Sequence, residues 1–410
     1  MSGEFRIERY CRSDRERAFD LIHASYPAAA PILIRNWDWM YDSNPFNREA
    51  ECERRSNREQ LLAFLRSVYS AERLESFGRK WGFDDDKFEL LDEPYVLLMK
   101  NNRDEVIAME GSLPQRFLVD GKEQWVSIEC NWTVHPKYRN QRLAQALVNR
   151  LRTDNALIFA WHNATSQKVA TRWRKATARR TEASGSVRTD MPVVPMIKPI
   201  EWGPVVNLLS SYRLIRATAS IIGTATGRLQ RALQRSLPSQ DIRVTRIDSF
   251  DQSVDQFWRA AACKHRVIAV RDRRYLNWRF TLRPRSPYTI VAAFSDSGMI
   301  GYLIFRVADH LGVSCGFLVD YLVEDRTVFS LVLEHAEELL RDEHVAAIIC
   351  SVATAPYRRI LFRRGFFPVP FRPRTHLAAQ LNSADPRLRA FLEVSRWFIT
   401  MGDGNLDMHF

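Results

Sequence analysis

No Cys-x-x-Cys pair occurs in this chain: the six cysteines stand apart at positions 11, 52, 130, 263, 315 and 350. That excludes a zinc ribbon or a thioredoxin-type site, and isolated thiols fit a reducing, cytoplasmic compartment. No run of about 18 uncharged apolar residues appears, so no membrane span is expected. The opening residues, MSGEFRIERYCRSDRERAFD, are charged and lack the apolar core of a signal peptide. No clustered His, Asp or Cys spacing suggests a metal site, and no metal is expected. Acidic residues are the minority, 48 against 60 Lys and Arg, with a sequence pI of about 9.6. The balance favours anionic partners: a phosphorylated cofactor, nucleic acid or an acidic lipid surface. What is present is ordinary globular composition, 410 residues with 46% hydrophobic and 26% charged, enough for two or three cores.

The chain repeats itself. Trp39-Met40-Tyr41-Asp42-Ser43-Asn44-Pro45 is echoed by Trp278-Arg279-Phe280-Thr281-Leu282-Arg283-Pro284, both reading Trp-x-aromatic-x-x-x-Pro. The flanks extend the echo. Upstream, Phe5–Tyr10 and Ile242–Ile247 each alternate with strand period and lead into a helical pattern. The first of these helices carries Ala18, Phe19, Leu21 and Ile22 and takes Ser13 as its cap; the second lies around Val254–Ala262. Downstream, Tyr95–Met99 turns into Val106–Met109, and Tyr288–Phe294 turns into Met299–Phe305.

A longer hairpin follows in the first copy, Ser112–Val119 and Gln124–Val134 around the tight-turn pair Asp120-Gly121. Arg142–Asp154 then reads as a helix and Leu157–Ala160 as a buried strand. The second copy answers with strand Gly316–Val323, helix Val328–Arg341 and strand Val345–Cys350. The fold class expected is α/β with mixed sheets, twice over. The domains expected are 1–204, a basic linker 205–239, and 240–410. The first copy has a charged insertion over about 46–92, read as a helical excursion from Leu61, Leu62, Leu65 and Val68. The stretch Val205–Leu237 carries Arg213, Arg216, Arg228, Arg231 and Arg235 and no acid. It is either a plain helical linker or a basic amphipathic helix touching acidic lipid or RNA at a membrane periphery.

The informative stretch runs from Trp132 to Leu147. A strand ends, a basic turn follows, and a helix begins. Free amides and the dipole at a helix start bind phosphate or pyrophosphate. Arg139 and Arg142 would add charge-assisted hydrogen bonds.

This stretch resembles the acyl-CoA-binding signature of the GNAT superfamily of N-acetyltransferases, Val-x-Pro-x-Tyr-Arg-Gly-x-Gly-x-(Gly/Ala)-x-x-Leu. Val134, Pro136, Tyr138, Arg139, Ala144 and Leu147 match, while Asn140 and Arg142 stand at the first two glycines. Asn163 sits where the family often has an Asn opening the next helix, and Ala170 stands where active members commonly carry a Tyr acid. The second copy keeps the family ending, Tyr357 to Leu361 and Arg364-Gly365-Phe366, but has Glu324 and Asp325 in its turn. The whole resembles tandem-GNAT proteins, and Trp397–Asp403 is similar to an ending of bacterial members.

The resemblance implies two GNAT-like domains and an acyl-CoA co-substrate, acetyl-CoA or a longer homologue. It places that co-substrate on Trp132, Thr133, Val134, Arg139, Asn140, Gln141, Arg142, Leu143, Ala144 and Asn163. It implies transfer of the acyl group to an amine of a small molecule, sugar or peptide, with Glu129 as general base, directly or through water. A strand amide near Trp132–Val134 would hold the developing oxyanion. Glu129 is otherwise a strand carboxylate paired with an Arg.

Further residues leave two readings each. His162 either replaces the missing acid or is structural, and Cys130 is either a nucleophile or a small core residue. Trp37, Trp39 and Tyr41 form either a stacking platform for bases or repeated core packing. The basic run Lys168–Arg188 is either a solvated face or a hold for the CoA 3′-phosphate or a tRNA. Two alternatives to acyl-CoA chemistry follow: tRNA-dependent aminoacyl transfer, which the basic charge suits, and a non-catalytic binding module, which Arg142 and Ala170 suit.

Overall fold

The structure is a computed structural model and describes residues 5–68, 94–139, 143–163, 166–171, 187–209, 241–285, 287–352, 354–369, 375–383, 385–404 and 406–409. Two compact units form, Met1–Met191 with Leu377–Ser395, and Pro192–His376 with Arg396–Phe410. Relative to boundaries at 204 and 240, segments 192–204 and 377–395 change sides. Of the basic stretch 205–237, residues 210 onward lie outside the described residues. Among the described residues no helix is long and apolar enough to cross a membrane.

The first unit is built on strands β1 (Arg6–Arg9), β2 (Val96–Lys100), β3 (Val106–Val119), β4 (Lys122–Val134), β5 (Leu157–His162) and β6 (Val187–Val193). The second uses β7 (Met196–Pro199), β8 (Arg243–Ile247), β9 (Val267–Ala269), β10 (Tyr288–Ser295), β11 (Gly298–Asp309), β12 (Ser314–Val323), β13 (Ala347–Cys350) and β14 (Phe367–Pro368). Near the end come β15 (Thr375–Leu381) and β16 (Trp397–Phe398). The first sheet runs β1-β2-β3-β4-β5-β15-β6, and the second runs β8-β10-β11-β12-β13-β7-β14. The two orders match place for place. In each sheet the sixth strand comes from the other half of the sequence.

The expected echo is present in three dimensions. Asp38–Asp42 and Asn277–Thr281 are each a single π-helical turn. Trp39, Tyr41, Trp278 and Phe280 are all buried. A π turn is rare, and its recurrence at both copies reflects one duplicated device. The hairpin Asp120-Gly121 also forms, with φ of 48° and 78°, the left-handed pair that such a turn needs. Val106–Met109 and Ser112–Val119 join into the single strand β3.

Helix α1 (Arg15–Ser25) does not start on Ser13. A 3₁₀ turn, Arg12–Asp14, precedes it, and the buried Asp14 carboxylate accepts from the Cys11 amide at 3.3 Å and pairs with Lys100 at 2.7 Å. Asp14 is the N-cap residue of α1, but its carboxylate, engaged by Lys100, makes no side-chain cap bond. Helix α2 (Ala30–Arg35) follows, then α3 (Asn47–Val68), which confirms a helix in the insertion; residues 69–93 lie outside the described residues. The first turns of α3 are tied down. Glu51 pairs with Arg9 and Arg54 at 3.0 Å each, and the two guanidiniums cover the Tyr95 ring. Helix α4 (Leu143–Asp154) lays Leu143, Leu147 and Leu151 on Leu97, Met99, Ile107 and Ile158. Burying Leu147 and Leu151 contributes roughly 1.5–3 kcal/mol each.

The second unit has helices α5 (Trp202–Leu209), α6 (Ser253–Ala262), α7 (Arg273–Leu276), α8 (Arg326–Asp342) and α9 (Ala355–Arg363), of which α6 and α8 pack on the sheet. The C-terminal residues are buried in it. Asp403 pairs with Arg271 at 2.7 Å, Arg271 with Asp320 at 3.0 Å, and Thr400 donates to Asp320 at 2.6 Å. Arg279 pairs with Asp407. The ending Trp397–Asp403 is thus a clasp of buried charge.

Candidate active site

Strand β4 is paired on both edges for only part of its length. It runs antiparallel to β3 and parallel to β5 through Ser127↔Ile158, Ile128↔Phe159 and Glu129↔Ala160. Beyond Glu129 no further pair joins β4 to β5, although β4 continues to Val134 and β5 to His162. The strands part there. On the β3 side the register slips between Met109 and Gly111, so Glu110 faces both Asn131 and Trp132. Asn131 adopts φ of 54°, which Asn tolerates better than most residues. Thr133 locks the bulge by donating its hydroxyl to the Asn131 carbonyl at 2.9 Å. Asn131 in turn donates to the Tyr41 hydroxyl at 2.9 Å. The Trp132–Val134 segment thus continues along β3 beyond the last pair of β4 with β5.

Charge gathers where the strands part. Glu129 lies opposite Ser112, and Glu110, two residues before Ser112, shares its face. His162 Nε2 lies 3.5 Å from the Glu129 carboxylate. Burial favours the neutral acid at Glu129. The hydrogen bond from His162, with the charges of Arg188 and Arg152 behind, outweighs that and holds its pKa below the ordinary carboxylate value. At Glu110 burial and the Glu129 charge act together and push the pKa well above the ordinary value. Both Glu110 oxygens are buried without a hydrogen-bond partner among the described residues. Two carboxylates with opposite shifts are the arrangement that separates an ionised base from a neutral acid. Glu110 was not legible as a site residue, because its place opposite the bulge exists only in the paired sheet.

The turn after β4 matches the expected plan where it is described. Pro136–Tyr138 forms a 3₁₀ turn, capped by His135 accepting from the Lys137 amide at 3.2 Å. Arg139 follows, exposed, with Nε 3.5 Å from the Val134 carbonyl. Asn140, Gln141 and Arg142 lie outside the described residues. Leu143 and Ala144 open α4, both buried. Asn163 ends β5, and its side chain accepts from the Ser166 amide at 2.9 Å, opening the helical residues 166–171.

The second unit carries the same strand parting in a closed form. Strand β12 pairs with β13 only through Cys315–Phe317. The Gly402 amide then donates to the Val319 carbonyl at 2.7 Å, so the chain's own ending lies along β12. The start of α8 is also taken: the Asp325 carboxylate accepts from the Thr327 and Val328 amides at 2.8 and 2.9 Å. Those two amides are therefore not free to cradle an anion.

Several two-way readings resolve. Burial pushes the Cys130 thiol up to about 12, and it rests 3.0 Å from the Tyr41 hydroxyl, which suits a core thiol and not a nucleophile. Trp37 is fully buried with its ring 4.6 Å from that of Tyr41, so these aromatics pack the core and offer no stacking platform. Of the basic run 168–188, residues 172–186 lie outside the described residues; Arg188 pairs with Asp190 at 3.0 Å.

No family model and no curated protein sequence matches the chain. Solved structures do. A probable N-acyltransferase of unknown function from Enterococcus faecalis aligns over 95% of this chain and 75% of its own, at 12% identity and a TM-score of 0.50. An N-myristoyltransferase from Saccharomyces cerevisiae, bound to myristoyl-CoA and inhibitors, aligns over 94% and 82%, at 12% identity and a TM-score of 0.50. The fold is that of the GNAT-type N-acyltransferases, in tandem. In the first unit β4 and β5 part after Glu129, and in the second the Gly402 amide bonds to β12 beyond its last pair with β13.

Proposed function

We propose that the protein is an N-acyltransferase whose first unit binds an acyl-CoA and passes the acyl group to an amine. The observation that carries this reading is the parting of β4 from β5 just after Glu129, followed by the bulge at Asn131 and the turn bearing Arg139. In that reading the thioester carbonyl lies against the backbone of Trp132–Val134, past the point where β4 and β5 part, and the pyrophosphate lies beside Arg139, ahead of helix α4. The amine nitrogen attacks the carbonyl carbon. As the C–N bond forms, the amine proton passes to Glu129, directly or through water. The C–S bond then breaks with its electron pair on sulfur, and the thiolate takes a proton from water. Glu129 suits the base because it is held ionised in a nearly dry place, and the amides oppose the oxyanion charge. The acyl-CoA bound in the yeast neighbour supports a CoA thioester as donor, and acetyl-CoA is one member of the class. The acceptor is read as an amine of a small molecule, sugar or peptide.

The test is ligand stabilisation. Acetyl-CoA and a long-chain acyl-CoA are each added at millimolar concentration, and the melting temperature is followed. A ligand at about 100 times its dissociation constant stabilises the native state by about 2.7 kcal/mol. A rise of several degrees with at least one donor is expected, lost in Arg139→Ala. No rise with either donor removes the proposal.

A further inference from the structure

We propose that Arg188 and His162 form a positioning relay behind Glu129: Arg188 fixes the imidazole as the Nε2–H tautomer, which aims that proton at the carboxylate. The inference rests on reading Glu129 as the base. It starts from three side chains on three strands. Arg188 on β6 places Nη2 3.3 Å from His162 Nδ1 on β5, and His162 Nε2 lies 3.5 Å from a Glu129 oxygen on β4. A guanidinium nitrogen only donates, so Nδ1 must accept. A neutral imidazole that accepts at Nδ1 carries its hydrogen on Nε2, the nitrogen facing Glu129. Asp190 holds the guanidinium in place, accepting from Arg188 Nε and Nη2 at 3.1 and 3.0 Å. His162 is itself buried, at 6% exposure, so the ring has little freedom to turn.

The consequence is directional. One Glu129 oxygen is engaged by the imidazole, which leaves the other to take the amine proton. Among the described residues, the other charged groups facing Glu129 are Glu110 on β3 and Arg152 on α4. Arg152 supplies charge to both carboxylates, whereas His162, at 3.5 Å, contributes a hydrogen bond to Glu129. Removing that bond should raise the pH at which the base is lost by about one unit, the usual scale for one hydrogen bond to a buried carboxylate.

Two measurements test the relay separately from the acyl-transfer reading. The full chain is labelled with 15N, and the imidazole is examined by long-range proton–nitrogen correlation without any ligand. The expected pattern is protonated Nε2 and bare Nδ1 for the ring that disappears in His162→Gln, with a mixed or inverted pattern in Arg188→Leu. An Nδ1–H tautomer in the wild type, or an unchanged pattern in Arg188→Leu, overturns the proposal. The second measurement is the pH dependence of thiol release from acetyl-CoA with a primary amine present. The acid limb of kcat/KM should move up by about one pH unit in His162→Leu and return in His162→Gln, whose amide still donates. A limb that stays in place in a folded His162→Leu protein also overturns it. A wild type with no turnover counts against the acyl-transfer reading, and the tautomer then decides the relay alone.

Discussion

Glu110 and Glu129 face the same side of one sheet, yet their acidities move in opposite directions. The cause is local. Glu129 has an imidazole at 3.5 Å, and Glu110 has no hydrogen-bond partner among the described residues. A stability signature follows. The Glu110 pKa is raised on folding, so the native state binds its proton more tightly than the unfolded chain does. That contribution is complete below the ordinary carboxylate pKa and is lost as pH climbs toward the folded value. Glu110→Gln keeps the shape and does not titrate. Calorimetry should therefore find its melting temperature gaining on the wild type between pH 5 and pH 8. An offset that is equal at both pH values would contradict the assignment. Glu129 was legible in the sequence because it lies on the strand that leads into a basic turn. Glu110 was not, because Val106-Ile107-Ala108-Met109 reads as a complete strand and nothing local marks the next residue.

At the scale of elements, the bulge of β4 and the π turn before α3 support one another. Tyr41 leaves the π turn and touches both Cys130 and Asn131. The contact depends on Gly111: a Cβ there would stand 2.1 Å from the Tyr41 hydroxyl and 3.1 Å from the Cys130 carbonyl. Gly111→Ala should cost about 1–3 kcal/mol, the usual price of overpacking. Its cost should be smaller in a Tyr41→Phe background, because the closest clash is then absent. Urea midpoints of the four proteins measure this, and strictly additive costs would refute it. The seven-residue echo around Trp39 and Trp278 was legible as a repeat. That it encodes π turns was not, since a five-residue π turn has no periodicity of its own in so short a stretch.

At the scale of the whole molecule, a duplicated plan has diverged in use. Each sheet takes its sixth strand from the other half of the chain, β15 in the first and β7 in the second. The second unit also binds its own ending through Arg271, Asp320, Thr400 and Asp403. Arg271 is fully desolvated, with two carboxylates against it. Arg271→Leu would leave those acids buried without their cation, and a loss of about 3–5 kcal/mol is expected. Chemical denaturation checks this; a change below about 1 kcal/mol would mean that the clasp is not a stabilising element.

The sequence by itself determined the two copies, the α/β class and the strand–turn–helix carrying Arg139. These features are written in local periodicity and in a motif whose residues adjoin one another. Only the tertiary structure decided which strands complete each sheet, that Glu110 stands opposite the bulge, and that the Gly402 amide bonds to β12. Those outcomes depend on pairings between residues far apart in the chain. β7 and β15 are short strands with no partner nearby in sequence, and their places follow from which sheet edge their backbone amides can satisfy.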